Sequence, residues 1–241
     1  MERIPKFKYK SSRIYIFDNL VYTNMITWLF GSSSDFSQNM IKYLNGDVVQ
    51  FGRSNVSYEP ADIKDWIEDN ISNLDSPDRV IFNINTGMVN ELPTPLHDFD
   101  STESFEIFNK WWIDNRNQLF FKTSLVDYLI NKKDLPNNPD HQVVYITSQI
   151  SADHNPEWKN LQLYKTLRAV DYEIIWNQRA KNVNAFGICP AANTRPMQWS
   201  EYIAVQLQYS NMGKDHWLYG VADTGNGLDF VRWSDWGRTI L

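Results

Sequence analysis

Short runs of β-branched and aromatic residues alternate along this chain with longer stretches whose apolar residues recur at helical intervals. Met25–Phe30 (MITWLF) stops at Gly31, Asp47–Phe51 (DVVQF) at Gly52, and Arg79–Ile84 (RVIFNI) at Thr86-Gly87. Gln142–Thr147 (QVVYIT) and Asn182–Ile188 (NVNAFGI) continue the series. Between them lie predicted helices over Phe36–Leu44, Pro60–Leu74, Thr102–Ile130, Pro156–Ala180 and Pro196–Gln208. In Pro60–Leu74 the apolar residues are Ile63, Trp66, Ile67 and Ile71, a helical spacing, with Pro60 suited to a first turn. Val221–Trp233 reads as one extended terminal segment around the turn Gly225-Asn226-Gly227. Strands that alternate with helices of this length imply βαβ crossovers and a parallel sheet. The expected fold is therefore α/β: a single doubly wound, mostly parallel sheet with right-handed crossovers and helices on both faces. Ligands bind such sheets beyond the carboxyl ends of the strands, here past Phe30, Phe51, Ile84, Thr147 and Ile188.

Residues 1–24 precede this pattern and read as an N-terminal extension, with Arg13–Phe17 and Leu20–Tyr22 suited to an added hairpin. Residues 25–241 read as one domain. A net charge of −6 argues against a nucleic-acid partner, which needs a positive surface to displace counterions. One cysteine, Cys189, allows no internal disulfide and no cysteine-based metal site. The four histidines, His97, His141, His154 and His216, include no pair at ligand spacing, so no metal is expected. No apolar run is long enough to span a bilayer, and no apolar signal core opens the chain. The expected compartment is the reducing cytoplasm. Aromatic residues reach 15%, with ten tryptophans, which suits ring-built cores and interfaces or a platform that stacks a ligand.

Several segments carry a more particular likeness. Phe30-Gly31-Ser32-Ser33-Ser34-Asp35 follows the first strand, and Gln50-Phe51-Gly52-Arg53 ends the second. Asn83-Ile84-Asn85-Thr86-Gly87 ends the third, Ile113-Asp114-Asn115 lies in the long helix, and Tyr145-Ile146-Thr147-Ser148 ends the fourth strand. Val183-Asn184-Ala185 opens the fifth strand, and Pro190-Ala191 with Thr194 follows it. Taken in this order, from about Ile26 to Trp236, they resemble the short-chain dehydrogenase/reductase family, whose domain is of the Rossmann type. The resemblance implies an NADP site, if any dinucleotide binds, made by Gly31, Ser32, Ser34, Arg53, Asp62, Asn85, Gly87 and Thr194. Arg53 would favour the 2′-phosphate, and Asp62 would stand on the adenine side. It further implies that Asn115 is the helix asparagine and Ser148 the substrate-orienting serine, and that the protein forms a homodimer or homotetramer. The terminal stretch from Thr224-Gly225 to Phe230-Val231 looks like the family's last strand.

The family's glycine-rich turn keeps only its first glycine here, and Asp35 stands where the second would be. Ser34 or Asp35 also suits an N-cap for the following helix. The family's Tyr-x-x-x-Lys pair, a phenolic general acid tuned by a cation, is not found. Counting back from Val183-Asn184-Ala185 puts Trp158 and Gln162 at the two positions. A second register puts Tyr164 there, with Arg168 four residues on and Lys165 adjacent. The substrate lid expected before the final helix is almost absent. The sequence therefore points to a dehydrogenase-like protein without ordinary dehydrogenase activity, acting as a binding or assembly scaffold. The alternative is an atypical NADP-dependent oxidoreductase of carbonyl or alcohol substrates that uses Asn115, Ser148 and Tyr164.

Overall fold

The computed structural model describes residues 25–52, 56, 59–84, 102–147, 161–190, 196–208, 212–223 and 228–232. In chain order these contain β1 (Ile26–Phe30), α1 (Asp35–Ile41), β2 (Asp47–Phe51), α2 (Ile63–Ile71), β3 (Arg79–Phe82) and α3 (Thr102–Lys132). They continue with β4 (Gln142–Ile146), α4 (Leu161–Ala180), β5 (Ala185–Pro190), α5 (Pro196–Gln206), β6 (Leu218–Asp223) and β7 (Leu228–Arg232). One seven-stranded sheet runs in the order β2-β1-β3-β4-β5-β6-β7, parallel throughout except for β7, which pairs antiparallel with β6.

The apolar runs are continuous where the sheet is covered on both faces. Every residue of β3 (RVIF) and β4 (QVVYI) is buried, whereas in β2 at the sheet edge only Phe51 is. Successive side chains take opposite faces. Trp28, Phe30, Val80, Phe82, Val143 and Tyr145 pack against α2, α3 and α4 through Ile63, Ile67, Phe121, Leu125, Leu129 and Ile175. Leu29, Ile81, Val144, Ile146 and Ile188 pack on the other face with Met40 of α1 and with Trp199, Ile203 and Ala204 of α5. On the first face the strand register pairs Phe51, Phe30, Phe82 and Tyr145 in one row across four strands. Their rings stack, with centroids 4.4, 5.4 and 5.1 Å apart.

The chain steps in one direction from β3 to β6, yet α3 and α4 lie on one face and α5 on the other. The β5–α5–β6 crossover therefore has the opposite hand to the two before it, against a general preference for right-handed connections. α5 meets α1 through a hydrogen bond from Asn39 Nδ2 to Ser200 Oγ (2.7 Å). Arg79, 1% exposed, ties α5 down from the sheet: its guanidinium donates to the Leu207 carbonyl and to Gln142 Oε1 (2.7 Å). Burial lowers its pKa to about 10, partly offset by Asp78.

The sequence reading needs three corrections. The last parallel strand is Leu218–Asp223, and the stretch first read as a single extended segment is a hairpin of β6 and β7. The fifth strand begins at Ala185, because residues 181–183 close α4: Asn182 takes φ 62° and the Val183 amide donates to Gln178 O (3.1 Å). The final crossover does not share the hand of its neighbours. The predicted residues 1–24 hairpin lies outside the described residues.

Candidate functional site

The carboxyl ends of β1 and β3, where the chain departs to opposite sides of the sheet, are where a doubly wound fold offers its crevice. Gly31 turns the chain there at φ +83°, and an added Cβ would come 2.2 Å from the Asn83 carbonyl oxygen. Its amide and that of Ser32 donate to Phe51 O, at 2.9 and 3.3 Å. Ser34 is the N-cap of α1: its hydroxyl oxygen accepts from the Ser37 amide (3.1 Å). Ser37, fully buried, donates from its hydroxyl to Gly31 O (2.9 Å). The Asn83 side-chain amide then donates to both hydroxyls, at 3.0 Å to Ser34 and 2.7 Å to Ser37. Gln38 reaches back to Ser32 O (2.7 Å). The turn is thus tied to itself and to the end of β3.

This turn does not fit a pyrophosphate in the manner the family uses. Its single glycine is already required by the approach of Asn83. The Gly31 and Ser32 amides are held by Phe51 O, and the exposed Asp35 carboxylate stands in the first turn of α1. The adenosine half of a dinucleotide normally rests on a further βα unit outside the second strand. Here the chain runs from β2 through α2 to β3 on the other side of β1. Residues 52–62 are too few for another strand and its return helix, since such a crossover takes about a dozen residues or more. Asp62, expected on the adenine side, sits exposed at the N-terminus of α2 without a side-chain capping bond.

A second group of polar residues lies under the sheet between α3 and α4. Lys122 of α3 pairs with Asp171 of α4 at 3.3 Å, with both side chains about nine-tenths buried. The Lys122 ammonium stands 5.8 Å from the centroid of the Tyr145 ring. The Tyr145 hydroxyl donates to Gln178 Oε1 (2.8 Å), and burial pushes its pKa far above the ordinary phenol value, so it remains a neutral donor. Both helices return against the strand direction, so the pair fixes their relative height. Asn115 precedes Lys122 in α3 by about two turns, toward the carboxyl ends of the strands. Asn115 is 5% exposed, buried like Asn117 beside it. Thr147 follows β4, and its hydroxyl donates to Ile188 O (3.0 Å) at the β4–β5 junction.

Ser148, Trp158, Arg53, Asn85, Gly87 and Thr194 lie outside the described residues, as do the side chains of Gln162, Tyr164 and Arg168. Sequence reasoning missed Asn83, Ser37, Lys122 and Asp171. Lys122 carried a signal, a cation on the helix face that also holds Leu125 and Leu129. Among the described residues no group of His, Cys, Asp or Glu is placed to hold a metal ion, and no helix is long and apolar enough to cross a membrane.

No family profile and no curated protein sequence matches the chain. Solved structures do. A 3-oxoacyl-[acyl-carrier protein] reductase from Brucella melitensis in complex with NAD superposes with a TM-score of 0.61 at 11% identity, covering 81% of this chain and 94% of that one. An alcohol dehydrogenase from the archaeon Thermococcus sibiricus, complexed with 5-hydroxy-NADP, gives 0.56 at 12%, covering 78% and 92%. A short chain dehydrogenase from Mycobacterium avium gives 0.55 at 12%, covering 88% and 86%. The fold is that of the short-chain dehydrogenases/reductases, and at such identities the likeness is one of fold alone.

Proposed function

We propose that this chain is a binding or assembly protein that keeps the dehydrogenase fold without carrying out ordinary dinucleotide-dependent carbonyl reduction. The observation that supports this reading most is the turn after β1, whose Ser34 and Ser37 hydroxyls are engaged with each other and with Asn83, and whose Gly31 and Ser32 amides are held by Phe51 O. The short connection from β2 to α2 supports it independently, because it leaves no further βα unit for an adenosine. Exposed rings on adjacent helices, Phe120 (55%) and Trp176 (59%), favour assembly with a second copy across α3 and α4. Calorimetric titration with NADPH and NADH tests the reading. No binding is expected up to about millimolar concentration, and a Kd near ~1 μM, or about −8 kcal/mol, would overturn it.

The buried Asn115 of α3 favours a second reading, an atypical NADP-dependent oxidoreductase with Asn115, Ser148 and Tyr164 as its working groups and Arg53 selecting the cofactor. In that reading Tyr164, with Arg168 four residues on, supplies the phenol, whereas the register with Trp158 and Gln162 supplies none. Tyr164→Phe would then abolish carbonyl reduction in a protein that still folds. A variant retaining the full rate would remove Tyr164 from that role.

A further inference from the structure

At the amino ends of the strands, opposite the candidate site, a chain of hydrogen bonds crosses the sheet. Asp78 accepts from the Ile26 amide and from Asn138 Nδ2, both at 2.8 Å. The Asn138 carbonyl accepts from His141 Nδ1 (2.5 Å). The other ring nitrogen of His141 faces the Asn184 amide at 2.7 Å. A backbone N–H can only donate, so Nε2 must be the acceptor and Nδ1 must carry the proton. Asn184 in turn grips the connection between α5 and β6: its side-chain amide donates to Met212 O (2.9 Å). Gly213, in the same turn, approaches so closely that an added Cβ would lie 2.2 Å from Asn184 Oδ1. The turn is further held by Arg179 on Gly213 O (2.6 Å) and by the Gly213 amide on the Tyr219 hydroxyl (3.0 Å).

We propose that His141 is an acid-released latch: protonation of Nε2 detaches the Asn184 amide and loosens the turn at residues 212–214 while the rest of the sheet stays folded. His141 is 4% exposed. Lys214 of the turn acts on it, Asp140 is beside it in sequence, and Asp78 is reached through Asn138, while Arg179 of α4 holds the same turn. The Asp78 carboxylate already accepts two hydrogen bonds. Burial holds the imidazole pKa below its ordinary value, with Lys214 adding to the effect and the Asn138 contact opposing it. The opened form therefore takes up the proton first. The latch is fully closed above the ordinary imidazole pKa of about 6.5 and is lost as pH falls through the lowered value.

Hydrogen exchange of the Asn184 and Gly213 amides, read as protection factors from about pH 8 down to about pH 5, tests the latch. Protection of Asn184 should fall about tenfold per pH unit at the acid end, the slope of a one-proton opening. Amides of central β4, such as Val144, should hold theirs. His141→Gln, which keeps an acceptor but cannot take up the proton, should show no such slope. A slope equal in both proteins, a flat profile in the wild type, or a parallel fall at Val144 would each overturn the proposal. Nitrogen NMR of His141 in the unaltered protein gives a check that needs no variant: a neutral ring protonated on Nε2 would also overturn it.

Discussion

At the residue scale, a few small polar side chains decide what the first turn can accept. Ser34, Ser37 and Asn83 close on one another, and Gly31 is the point where the turn touches β3. Gly31→Ala should be severe, because the methyl meets a backbone carbonyl and the backbone lies in the left-handed region. We expect a loss of about 3 kcal/mol or more in urea unfolding. Asn83→Ala should cost about 1–3 kcal/mol, chiefly by leaving the buried Ser37 hydroxyl without its Asn83 contact. If NADPH binding then appeared in Asn83→Ala, the network would be what excludes it. The glycine was legible in the sequence as a turn. The network was not, because it depends on Asn83 lying alongside Ser37, a pairing set by the β1–β3 register and not by sequence separation.

At the element scale, the chain spelled out most of its strands. β2 falls at the expected Asp47–Phe51, and the buried runs of β3 and β4 were readable because sheets covered on both faces leave no polar alternation. β6 was legible only in its second half: Val221–Asp223 fall within the expected extended segment, whereas Gly220 interrupts the run before them. The Lys122–Asp171 pair between α3 and α4 was also hidden, since its residues lie 49 apart in sequence. Lys122→Met should destabilise by about 3–5 kcal/mol, because it removes the cation from beside a buried carboxylate. The double substitution Lys122→Met with Asp171→Leu should recover most of that loss. Equal losses in the single and double variants would mean that packing volume, rather than charge, sets the register.

At the scale of the whole molecule, the sheet is completed by an antiparallel strand. β7 covers the outer edge of β6, which would otherwise present unpaired backbone groups to other chains. Truncation after Asp223 should lower stability and promote concentration-dependent association, both visible by light scattering during thermal unfolding. A truncated chain that stayed at the mass of the full-length protein on heating would show that β6 is protected in some other way. The overall α/β class followed from alternation alone, but the hand of the last crossover did not, because local sequence carries no signal for the face on which a helix will land.

That reversed crossover also bears on how the protein is made. The face of β1 that carries Leu29, together with Met40 of α1, is finished only by α5. On a ribosome the stretch between Ile41 and Pro196 takes on the order of ten seconds to appear. For that interval the earliest part of the nascent chain holds an open apolar surface whose cover has not yet been synthesised.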